Sequence, residues 1–237
     1  MDPILSTAAR IPSLPLALDH LVVAARTLDE GEAWLRARLG RAMAVGGSHP
    51  GFGTHNRLLR LGADCYLELI ARDPEQPEAS RVLFGLDQEP VARALAGSPH
   101  LLHAVFRVTP PASLAAVLPQ LAYDPGAMTR MTRGQLAWDI TVPHDGHPGG
   151  NGLLPTLIDW GATAHPCTRL PDSGVVLEAL RFEGPSAVIA RFPACEARGT
   201  QIKLALLPAP CSTISADFVV ADKRIIIQSR LPVRDLA

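Results

Sequence analysis

The chain has 237 residues, 47% of them hydrophobic and 19% charged, and a formal net charge of −1. That balance describes a folded chain with room for one large domain or two small modules, and excludes a disordered one. Aromatic residues at 5% and the lack of a Lys/Arg stripe leave neither the stacking platform nor the electrostatic footprint of a nucleic-acid binder. Cys65, Cys167, Cys195 and Cys211 stand far apart with no CxxC pair, which fits free thiols in a reducing compartment rather than a disulfide framework or a zinc ribbon. The first twenty residues do not read as a secretory signal, and no apolar run is of bilayer-spanning length. The expectation is a cytoplasmic protein with no membrane partner and no nucleotide cofactor.

Residues 1–16 carry three prolines and read as an N-terminal arm. "ALDHLVVAA" (17–25) predicts a buried strand, and "TLDEGEAWLRARLG" (27–40) a helix with Thr27 as N-cap and Gly40 as C-cap. Strands follow at 41–45, 55–62 and 65–71, giving a β-α-β-β-β module over 17–80. Residues 81–99 form a linker containing the helical stretch "EPVARALAG". A second module occupies 100–173, with a strand at 101–108, a helix at 110–121, and strands at 127–133, 135–143 and 153–161. Residues 174–237 form a C-terminal extension: a strand at 174–184, a helix at 185–197, a strand at 200–208 and two further apolar runs. This βαβ-like extension is either an incomplete third module or an edge addition to the sheet.

The repeat places chemistry at matching points. The first strand of each module carries a histidine, His20 and His103, and the fourth a carboxylate, Glu68 and Asp159. By strand alternation His20 shares a face with Leu18 and Val22, and Glu68 with Tyr66 and Ile70. If the helix covers the fully apolar face, these polar groups line the concave one. Two such modules facing each other would bring together two imidazoles and two carboxylates, a donor set suited to Zn, Ni, Mn or Fe(II). Each position has a plainer reading too. His20 could be a hydrogen-bonding cavity residue and Glu68 the partner of Arg60 or Arg107. His103 could be a satisfied core histidine and Asp159 a cap on the turn at Trp160–Gly161. A one-residue slip in the last strand would turn Ile158 or Trp160 inward in place of Asp159.

The stretch "GGSHPGFGTHN" (46–56) has no apolar period and reads as a loop at the cavity mouth, with His49, Thr54, His55 and Asn56 as substrate-binding candidates. Trp138 and Trp160 read as core or cavity wall. "PHDGHPGG", with His144 and His147, reads as a surface loop.

Paired β-α-β-β-β modules with these residues resemble the vicinal oxygen chelate superfamily. More narrowly, "LDHLVVAARTLDEGEAWLRARLG", "CYLELIARDP" and "LLPTLIDWG" resemble a glyoxalase-like family of bacterial proteins. The resemblance spans roughly 17–208. It implies an α+β fold in which paired βαβββ modules form a cupped mixed β-sheet, the glyoxalase/bleomycin-resistance/dioxygenase fold. It also implies metal ligands at His20, Glu68, His103 and Asp159. The function implied is a metal-dependent isomerase or lyase acting on a small substrate with vicinal oxygens, in which Glu68 or Asp159 moves a proton. A metal-free binding or resistance protein and an extradiol-type dioxygenase are the alternatives. A homodimer is expected by analogy alone.

Overall fold

A computed structural model describes residues 13–195 and 202–229. Strand β1 (Leu16–Ala24) leads into α1 (Leu28–Leu39). The helix begins where the Thr27 side chain accepts from the Glu30 N–H at 3.2 Å, and ends at Gly40, whose φ of 64° is the left-handed conformation a C-cap needs. Strands β2 (Ala44–His49), β3 (Thr54–Arg60) and β4 (Tyr66–Arg72) complete the first module. A 3₁₀ turn at Leu83–Gly85 and α2 (Glu89–Gly97) lead to β5 (His100–Val108) and the short α3 (Leu114–Val117), which runs into a 3₁₀ turn at Leu118–Gln120. Then come β6 (Ala127–Arg133), β7 (Leu136–Val142) and β8 (Thr156–Asp159).

These eight strands form one curled mixed sheet in the order β2-β3-β4-β1-β5-β8-β7-β6. In each module the first strand pairs with the fourth in parallel, and the modules join along the antiparallel pair β1·β5. The two edge strands, β2 and β6, approach each other, so the sheet curls toward closure. One face packs Leu21, Val23, Leu67, Leu69 and Phe106 against Leu35 and Leu39 of α1. The other carries Val22, Ile70, Val105, Ile140 and Ile158, roofed by Leu83 and Phe84.

Simple alternation along β1 fails at one point. Leu18 pairs with Phe106 and His20 with Val105, so Asp19 is an extra, bulged residue. The bulge reverses the side-chain phase. Leu16 and Leu18 therefore join the helix-side core with Leu21 and Val23, and His20 does not share a face with Leu18 as expected. The glycine-histidine stretch also differs from expectation. Only residues 50–53 turn, and Ala44–His49 is a paired edge strand with its own bulge at Gly46. Backbone pairing to β3 holds it where no apolar pattern announces it.

After residue 174 the chain builds a second sheet rather than extending the first. Strand β9 (Val175–Gly184), α4 (Ser186–Ile189), β10 (Lys203–Pro208), β11 (Thr213–Val220) and β12 (Lys223–Gln228) give the order β10-β9-β11-β12. The β9-α4-β10 part is a parallel βαβ unit. A third module would pair β9 in parallel with β12, whereas β9 sits between β10 and β11. Leu180, Phe182, Ile214 and Phe218 of this sheet share a core with the helix-side face of the first, backing it from behind. The proline arm expected at 1–16 falls mostly outside the described residues, but Leu14 is already bridged to Cys195 and packed in that core.

Candidate functional site

The β1 bulge turns two consecutive polar residues into the interior. Asp19 is fully buried and His20 is 4% exposed. His20 Nδ1 donates to Asp19 Oδ1 at 2.7 Å, and its ring stacks on Tyr66 with centroids 4.6 Å apart. Its Nε2 therefore points toward Glu68, whose Oε2 lies 3.5 Å away. Glu68 comes from the middle of β4, beside β1 in the parallel ladder. Its other oxygen accepts from Asn56 Nδ2 at 2.5 Å and lies 3.8 Å from His49 Nε2.

Asn56 ties this cluster to both edges of the sheet. Its Nδ2 donates to Glu68 and, at 3.3 Å, to His49 Nε2. Its Oδ1 accepts from the Gly47 N–H at 3.0 Å and from Arg133 on β6 at 3.2 Å. All of the amide's hydrogen-bonding capacity is used, which fixes its orientation. His49 Nδ1 then donates to Thr54 Oγ1 at 2.9 Å. The first two of the four glycines in "GGSHPGFGTHN" make this possible. A Cβ on Gly46 would lie 2.6 Å from the Asn56 carbonyl and overlap its side-chain oxygen, and a Cβ on Gly47 would meet the Arg133 side chain at 3.0 Å. Gly46→Ala is expected to cost about 1–3 kcal/mol by forcing this packing apart. Urea unfolding checks it, and an unchanged midpoint would mean that β2 shifts without strain.

Charge is held in place here. Burial pushes Glu68 up, but the hydrogen bond and charge of His20, with His49 and Asn56, outweigh it and bring the carboxyl down to about 2. Burial opposes charge on His20, yet its bonds to Asp19 and Glu68 prevail and raise it to about 9. Asp19 is likewise held well below the usual carboxylate range, since the bonds from His165 and His20 outweigh its burial. Burial lowers His49 to about 4, so it stays neutral. At neutral pH the centre is an Asp⁻–His⁺–Glu⁻ row beside a neutral histidine.

The facing wall is apolar and aromatic: Phe84, Met131, Trp138, Ile140, Ile158 and Trp160. The space between the walls admits about 30 Å³ of water-sized occupant, enough for a water or two. A neighbouring hollow of about 90 Å³, between Pro50–Phe52 and Arg130–Thr132, shares His49, Met131 and Trp138 with it.

Two of the four expected ligands are elsewhere. Asp159 Oδ2 accepts from the Leu114 N–H at 3.0 Å and Oδ1 from the Gly161 N–H at 2.9 Å, so this carboxylate caps α3 and the turn after β8. The strand phase puts Ile158 into the cup in its place. His103 Nδ1 donates to Gly152 O at 2.8 Å, while Nε2 accepts from the Thr156 N–H at 3.1 Å. Its lone pair is thus in use, and burial lowers it to about 4. Across the β1·β5 ladder His103 pairs with Val22 and His20 with Val105. From β8 the second module turns Ile158 into the cup, and no carboxylate. The four-ligand centre does not fit these residues, and among the described residues no group of three or more His, Cys, Asp or Glu side chains is arranged to hold a metal.

Of the other candidates, His49 and Asn56 lie in the cup, and Thr54 supports His49 from behind. His55 points to the opposite side of β3, lining an open groove with Arg57 and Arg72. Sequence reasoning missed Asp19, Arg133 and His165. Asp19 had one signal, two adjacent polar residues inside an apolar strand, which marks a bulge. No helix among the described residues is long and apolar enough to cross a membrane.

The family model described as a glyoxalase-like domain matches residues 18–192, which takes in both modules and the start of the second sheet. The chain belongs to the glyoxalase-like domain family. Its curled sheet is the vicinal oxygen chelate fold. A hypothetical protein from Staphylococcus aureus shares the fold with a TM-score of 0.52 at 12% identity, covering 90% of this chain and 84% of that one. Methylmalonyl-CoA epimerase from Streptomyces coelicolor, in complex with 2-nitronate-propionyl-CoA, aligns at 19% identity and a TM-score of 0.39, over 63% of this glyoxalase-like chain and 98% of its own. The Mycobacterium tuberculosis epimerase gives 20% and 0.41, over 63% and 92%. No curated protein matches the sequence.

Proposed function

We propose that the protein binds a small molecule with two neighbouring oxygens on an apolar body, using one polar and one apolar wall instead of four metal ligands. The observation that supports this most directly is the asymmetry of the cup: His20, His49, Asn56 and Glu68 come from the first module, and Trp138, Ile140, Ile158 and Trp160 from the second. Glu68 accepts from a ligand hydroxyl. His20 Nε2 and Arg133 donate to the adjacent oxygen, and the rest of the molecule extends past His49 and Trp138 into the neighbouring hollow of about 90 Å³. A few convergent polar groups in an otherwise apolar pocket are the usual makings of such a site. A carboxylate held below its usual range by the bonds and charge of His20 is a weaker base, which favours binding over proton transfer by Glu68.

The test is calorimetric titration with 2-oxoaldehydes and catechols beside metal analysis of untagged protein. The expected result is binding of a ligand with vicinal oxygens, weakened at least tenfold in Glu68→Gln, or about 1.4 kcal/mol, and unchanged in Asp159→Ala. Near-stoichiometric metal, lost in both His20→Ala and Glu68→Ala, would replace this reading with a metal-assisted isomerase or lyase. Absence of both metal and ligand would leave a cup with neither role.

A further inference from the structure

We propose that Asp19 is the positioning residue of the cup: it fixes the His20 ring so that Nε2 faces Glu68, and the second module holds Asp19 in place through Trp160 and His165. The inference rests on the cup being the functional site.

Three donors hold Asp19, one from β1 and two from the segment after β8. Oδ1 takes the His20 Nδ1–H at 2.7 Å. Oδ2 takes the Trp160 Nε1–H at 2.9 Å and the His165 Nε2–H at 3.1 Å. The His165 tautomer is set independently, because its Nδ1 accepts from the Cys167 N–H at 3.3 Å and leaves the hydrogen on Nε2. A buried carboxylate is costly unless paired and hydrogen-bonded, and this one is both. It reaches the interior because the β1 bulge breaks strand alternation, a device that re-aims side chains beside sites.

The His20 ring is gripped on its edge by Asp19 and on its face by Tyr66. Rotation about its side chain would break the first contact and disturb the second. Its remaining nitrogen is therefore presented in one direction. A ligand atom meeting that N–H is an acceptor, a carbonyl or anionic oxygen, while Glu68 takes a hydroxyl beside it. The second module, which turns Ile140 and Ile158 into the cup, contributes here by another route. Trp160 and Pro166 wall the cup, and Trp160 and His165 anchor the residue that aims His20.

The test is proton–nitrogen NMR of the full-length protein at pH 7, following the His20 Nδ1–H signal, assigned by its disappearance in His20→Gln. The expected result is a protected, strongly downfield proton in the wild type that shifts upfield or is lost in Asp19→Asn, while the unfolding midpoint shows that the variant remains folded. A signal unchanged in folded Asp19→Asn would overturn the proposal. If that variant does not fold, Trp160→Phe, which removes one Asp19 donor and keeps a ring in the wall, is read instead: the same signal moves if Asp19 is the aiming residue, and its constancy overturns the proposal. These spectra need no ligand. A wild type that binds nothing in the calorimetric screen but has an Asp19-dependent His20 proton would remove the functional reading and leave this one.

Discussion

Replacing Glu68 with alanine is expected to destabilise the protein by about 3–5 kcal/mol, the range seen when one partner of a buried charge pair is removed. The carboxylate is 4% exposed and is approached by His20, Asn56 and His49 at once. Alanine would leave an imidazolium beside Asp19 without its second counter-charge and strand the Asn56 amide, which in turn holds Gly47 and Arg133. Loss of charge and loss of packing then act on the same spot. Urea unfolding at pH 7 measures the cost, provided the slope of the transition stays constant. Glu68→Gln, which keeps the volume and one acceptor, should lose less. A cost below about 1 kcal/mol for alanine, the value of an exposed pair, would mean that the cluster is solvated and that the cup is open.

Stability should also peak near neutral pH and fall on both sides. His20 is raised from 6.5 to about 9, so its contribution is complete below about 6.5 and is lost as pH rises through 9. His49 and His103 are lowered to about 4 by burial. Below 6.5 the unfolded chain takes up protons that they refuse, and stability declines until pH 4. Glu68, lowered to about 2, contributes above 4.5, and that share is lost as pH falls through 2. Each shift of two to three units corresponds to about 3–4 kcal/mol, and His20 and Glu68 draw on one shared interaction, which is counted once. Urea midpoints at pH 4.5, 7 and 9.5 check the profile. The alkaline limb should vanish in His20→Gln, and an alkaline limb that persists there would assign it to another group.

Much of this was readable beforehand, for reasons that can be stated. Helix α1 announced itself because Thr27, its acidic first turn and Gly40 are local signals with local causes. His20 and Glu68 were legible because a polar residue in an apolar strand needs a partner, and the two strands are neighbours in the ladder. Asp159 misled because face is set by register, and one residue of phase exchanges it for Ile158. His103 misled because its position on the strand does not reveal its partners: Gly152 and Thr156, brought against it by the fold, occupy both ring nitrogens. Arg133 reaches Asn56 across 77 residues of sequence, a contact that exists only because the sheet curls. Nothing local encodes it. The second strand, expected at 41–45, lies at Ala44–His49, because its glycines serve the close approach of Asn56 and give no apolar pattern to mark its end.

The curled sheet has a consequence for access. Around most of the cup the wall is a continuous backbone ladder, and parting two strands would break several hydrogen bonds at once. Strands β2 and β6 are the two ends of that ladder, and Gly47 faces Arg133 where they come together. The Arg133–Asn56 bond across this join contributes on the order of 1–3 kcal/mol, far less than unfolding. Such a join can breathe open while both sheets stay intact. The hollow between Pro50–Phe52 and Arg130–Thr132 lies beside it. Guests would then enter through the seam, and their arrival rate would follow substitutions at Arg133 while remaining insensitive to changes in global stability.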